Sequence, residues 1–188
     1  MAFVGDLWQP ILLSAALVFI WSAVSWTLLP WHNAEWKGLP NHDAVRTAIK
    51  TAGFAAGLYM FPWVDDPKAR RSPEAMAKFA EGPSGMVTLL QPGPMSMGGM
   101  MTKSLLFNLI VSVFVAYVVS HAFGANLATA SYGSVFRIAG CVAFMSYAFG
   151  TVPDSIWFGK PWKSWLLVAV DAVIFALLVG GTFAGLGR

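Results

Sequence analysis

Residues 165–186 read WLLVAVDAVIFALLVGGTFAGL, an apolar run interrupted by one carboxylate, Asp171. An α-helix rises about 1.5 Å per residue, and about 20 apolar residues cross the hydrocarbon core of a bilayer. The run is therefore long enough to span, and with the tryptophan and lysine in front of it the span covers 162–186. Three other stretches share its character, at about 10–30, 105–123 and 134–153. The expected fold is an all-α membrane protein with four transmembrane helices. Residues 1–188 form a single polytopic membrane domain, and 31–103 is a helical extramembrane insertion between the first two spans.

Composition agrees with that reading. The chain of 188 residues is 57% hydrophobic and 11% charged, against about 25% charged in soluble domains. The net charge of +3 does not indicate nucleic-acid binding, because basic residues of membrane proteins gather at the cytoplasmic face. Cys141, the single cysteine, falls in the third span. That excludes an intrachain disulfide and a cysteine metal cluster, and suggests a small buried apolar residue.

The first apolar run has no Lys or Arg before it and exceeds the apolar core of a secretory signal, which implies a retained first helix. Pro10 suits its first turn and Pro30 its end, with Trp8 and Trp31 as interfacial anchors. In the insertion, Asn41 and Asp43 open an amphipathic helix of about 42–57. Its apolar stripe is Val45, Ala48, Ile49, Ala52 and Ala56, with Arg46, Thr47 and Lys50 off the stripe. Such a helix lies on the membrane surface or covers the inner end of the bundle. Ser72-Pro73-Glu74 and Gly82-Pro83 bracket a short helix at 73–81, and 86–91 suits a short strand.

Ten lysines and arginines fall in 31–103 and the third connection, against Arg137 and Arg188 on the other side. The positive-inside rule then places 31–103 in the cytoplasm and both termini outside. A bacterial inner membrane is the expected location.

Several residue groups bear on chemistry. Asp171 lies about 13 Å into the membrane counted from Trp162. An ionised carboxylate there costs about 2.5–3.5 kcal/mol even on a lenient scale, so it needs a partner. The expected partner is Arg137, entering from the opposite face, with Asn108 as a third member. Together they would serve either as a proton or ion relay or as a structural pair. Met95, Met97, Met100 and Met101 form a soft-sulfur loop with the ligand type that Cu(I) prefers, although methionines before a span also act as gap-fillers. His121 is a single candidate axial ligand for a haem or pigment. It sits across the bilayer from His32, so the two cannot share one haem. Gly140, Gly181 and Gly185 mark close helix packing.

No HExxH, GxSxG or phosphate-binding loop occurs, and nothing nominates an enzyme. The expected function is that of a non-enzymatic accessory or structural subunit of a larger bacterial membrane complex. Its partners would be the bilayer and other membrane subunits or a second copy, with no cofactor identified. The alternatives are a small proton-coupled transporter or channel using Asp171 and Arg137, and a copper-handling protein using the methionine loop.

Overall fold

A computed structural model describes residues 2–187. The structure is 72% helical, and among the described residues four helices are long and apolar enough to span a membrane. It divides into two compact units, 1–37 with 96–188, and 38–95.

The first unit opens with a short helix α1 (Ala2–Asp6) and the first long helix α2 (Trp8–Thr27). Helix α2 stops three residues short of Pro30, and a 3₁₀ turn, His32–Glu35, follows. After the second unit come three more helical segments. Helix α5 covers Met97–Phe123. Helix α6 (Tyr132–Ala148) continues through a 3₁₀ turn into the short α7 (Val152–Trp157). Helix α8 covers Trp162–Leu186. Helix α5 begins eight residues before the expected 105 because the Ser96 hydroxyl accepts from the Gly99 N–H at 3.2 Å and caps it. Ser131 does the same for α6 through Ser134.

The four long helices pack in the order α2–α5–α6–α8, with α8 returning to α2. Neighbours run antiparallel. Ser14 meets Ser112 between α2 and α5, Tyr147 meets Asn108 between α5 and α6, and Ser25 meets Asp171 between α2 and α8. Small residues and valines fill the interior, among them Ala15, Val18, Ala116, Ala139, Ala143 and Ala172. Large apolar side chains point outward, including Leu12, Ile20, Phe114, Val170 and Leu177. That inversion suits lipid, where helices associate by close packing rather than by a hydrophobic drive. Cys141 is exposed on this outer surface, not buried as the sequence suggested.

The closest approach is between α6 and α8. A Cβ on Gly180 would lie 2.9 Å from the Phe136 carbonyl oxygen, and one on Gly140 would lie 3.2 Å from that of Ala176. Gly181 and Gly185 do not make this contact. A Cβ on Gly181 would meet only the Tyr132 hydroxyl at 3.7 Å, and one on Gly185 would meet nothing within 4 Å.

The second unit contains α3 (His42–Thr51), a strand β1 (Gly57–Phe61), α4 (Pro73–Glu81) and a strand β2 (Gly85–Leu89). The strands pair antiparallel, with Tyr59 opposite Val87. The chain is therefore not wholly α-helical. The helix expected over 42–57 ends at Thr51, since Gly53 adopts φ +72° and turns the backbone into β1. Helix α4 matches the expected 73–81. Ser72 accepts from the Ala75 N–H at 3.2 Å, Pro73 occupies the first turn and Gly82 leaves it at φ +63°.

Candidate functional site: a buried carboxylate–imidazole–carboxylate array

Asp171 lies nine residues into α8 and is 4% exposed. The Ser25 hydroxyl, from the last turns of α2, lies 2.9 and 2.8 Å from its two oxygens and donates to the carboxylate. Ser25 in turn accepts from the Trp31 indole N–H at 3.0 Å. On the other side, His32 Nε2 is 2.9 Å from Asp171 Oδ2, and His32 Nδ1 contacts Glu35 Oε1. The imidazole is 1% exposed and stacks on Trp26 at 4.2 Å with 5° between the planes.

Local sequence builds this array. Helix α2 ends at Thr27 and the chain turns back, so the 3₁₀ turn brings His32 and Glu35, three residues apart, against α8. Both ring nitrogens of His32 then face carboxylate oxygens. A carboxylate can only accept, so two such bonds need two N–H groups on the ring, or a proton on one carboxyl. Imidazole and carboxylates together form one contiguous polar array. Its three ionisable groups are joined through opposite ring nitrogens and do not converge on a common point. Among the described residues no cluster of His, Cys, Asp or Glu is arranged to hold a metal ion.

The expected Arg137–Asp171 pair does not form. Arg137 Nε donates to the Gly133 carbonyl at 3.0 Å, one turn earlier in its own helix. The reason is height in the bundle. The Gly140–Ala176 and Gly180–Phe136 contacts set Asp171 level with about Met145, eight residues from Arg137. That separation is about 12 Å along the axis.

Asn108 is buried but bonds elsewhere, accepting from the Tyr147 hydroxyl at 3.2 Å, while its Nδ2 has no partner. His121 is exposed at the opposite end of the bundle from His32. Its Nδ1 lies 2.8 Å from the Tyr117 carbonyl, and its ring is 4.1 Å from that of Tyr117. Met97, Met100 and Met101 belong to the first turns of α5 rather than to a flexible loop, and Met95 lies outside that helix. All four are exposed.

Sequence reasoning missed Ser25, Trp31, His32 and Glu35 as partners of Asp171. The available signal was the His32-x-x-Glu35 spacing just beyond a spanning helix, at the end of the bundle where the helix bearing Asp171 begins. Comparison with known protein families, curated proteins and solved structures finds no match.

Proposed function

We propose that the protein is a non-enzymatic, proton-handling membrane protein, a small proton-coupled transporter or channel element working through the Glu35–His32–Asp171 array. One observation carries this reading: a buried imidazole bridges two carboxylates inside the unit that holds the four long apolar helices. Intramembrane ionisable groups are costly, face the bundle interior and mark ion pathways and proton relays. The geometry gives the relay reading a partner set, His32 and Glu35, in place of Arg137. The excess of Lys and Arg in 31–103 supports placing the array at the cytoplasmic end of the bundle, in a bacterial inner membrane.

The test is proton flux in proteoliposomes under an imposed pH gradient, followed by an entrapped pH-sensitive dye. The expected result is flux above that of empty vesicles, and its loss in Asp171→Asn with assembly unchanged. Equal flux from the wild type and Asp171→Asn would dispose of the relay.

A second reading is an accessory subunit of a larger membrane complex. The exposed Gly185 of α8, with open space where a Cβ would stand, favours it, since a small residue there allows a neighbouring helix close approach. Pull-down in mild detergent with native mass tests this. Stoichiometric partners lost on Gly185→Leu support the subunit, and a partner-free particle opposes it.

A further inference from the structure

We propose that the groove between α3 and the end of β2 binds an anionic phospholipid of the bilayer that the chain crosses. The groove has a volume of about 910 Å³ and combines two chemistries. Arg46 and Lys50 lie one helical turn apart along it, and Ile49, Phe54, Leu89 and Leu90 supply apolar wall. Asp43 is the one carboxylate among the lining residues. It bonds Arg46 Nη1 at 3.2 Å with both side chains mostly exposed, a pairing worth little in water. Lys50 has no such neighbour in the lining. A phosphodiester beside these cations with an acyl chain along the wall satisfies both halves of the groove.

Helix α3 has no buried residue. Asp43, Arg46, Thr47 and Lys50 turn to the groove with Ile49 at its edge, while Val45 and Ala48 are exposed on the other side of the helix. The length of connecting chain argues for lipid as the occupant. Pro92, part of the lining, lies five residues before Met97, where a spanning helix begins. Five residues reach at most about 18 Å, and the eight helical residues from Met97 to the start of the apolar span at 105 add about 12 Å. On the other side, seven residues separate Glu35, fixed in the buried array, from His42 at the start of α3. That stretch reaches at most about 25 Å. A basic, half-apolar groove tethered this closely to a bilayer meets anionic headgroups at high local concentration. This inference is independent of the proton relay.

The experiment uses the full chain with Cys141→Ser and a fluorophore at the groove-lining Ala56→Cys, reconstituted in nanodiscs of phosphatidylcholine. Equal mole fractions of nitroxide-labelled phosphatidylglycerol or phosphatidylcholine are then introduced as quenchers. The expected result is a preference of about fivefold per cation for the anionic lipid, removed by Arg46→Gln with Lys50→Gln. Equal quenching by the two lipids would overturn headgroup selection. No quenching by either lipid would overturn lipid as the occupant. Aqueous iodide then tells a water-exposed face from one covered by a second copy or another protein.

Discussion

At the scale of single residues, His32 holds the array together. Replacing it with alanine leaves Asp171 and Glu35 buried without the imidazole between them. Breaking a buried charged pair by removing one partner costs about 3–5 kcal/mol. The His32→Ala protein is expected to unfold at correspondingly lower denaturant in detergent titrations. Ser25→Ala removes a hydroxyl bond to a carboxylate and the acceptor of Trp31, at an expected cost of about 1.5–3 kcal/mol. Asp171→Asn is the gentler change, because an amide of the same shape still accepts from Ser25. Asp171 was legible in the sequence, since a carboxylate within an apolar run stands out. Its partners were not, because Ser25 and His32 lie 146 and 139 residues away and neither bears the fixed positive charge that drew attention to Arg137. Opposite charge is a poor guide when two residues sit at different heights on antiparallel helices.

Among the elements, the α6–α8 contact depends on two glycines that the sequence distinguished only in part. Gly140 was singled out, and it does face the Ala176 carbonyl. Gly180 was passed over for Gly181, its neighbour in the GxxxG pattern. One residue is about 100° around a helix, so adjacent glycines face different surroundings. Gly180→Ala would press a methyl group on the Phe136 backbone and is expected to cost about 1–3 kcal/mol. Gly185→Ala has open space and no such cost. Thermal unfolding of the two variants, measured side by side, checks the contrast. Helix α4 was legible to the residue because cap, proline and terminal glycine are local signals. The β1–β2 pair was half legible, since β1 has no flanking turn signature beyond Gly53 and its alternation is weak. At the start of α4, the Glu74 backbone N–H and then the Ser72 hydroxyl hold the Glu74 carboxyl below its ordinary range. A depressed carboxyl contributes stability that is full above the unfolded value and fades as pH falls through the folded one. Amide protection at Ala75 and Met76, corrected for intrinsic exchange, is therefore expected to decrease under acid conditions below that range.

For the whole molecule, buried ionisable groups gather at one end of the bundle and most of the fully buried apolar packing lies toward the other. The array occupies the end where α2 stops and α8 starts. Toward the other end Val115, Val119, Val135, Val179 and Phe183 are fully buried. The buried Ser14–Ser112 pair and Thr182 lie among these apolar side chains, so under the proposed relay a path beyond Asp171 needs this packing to open or another subunit to complete it. Four spans were legible from hydropathy and length alone, and so was the separation of His32 from His121. What hydropathy cannot supply is rotation about each helix axis, which decides whether Cys141 faces lipid and Asp171 faces His32. The account rests on a histidine flanked by two carboxylates inside the bundle. The most direct measurement is ¹⁵N NMR of the His32 ring in reconstituted bilayers, compared between the wild type and Asp171→Asn. The account predicts two hydrogen-bonded ring nitrogens in the wild type and a changed Nε2 signal in the variant. A His32 spectrum identical in both proteins would contradict it.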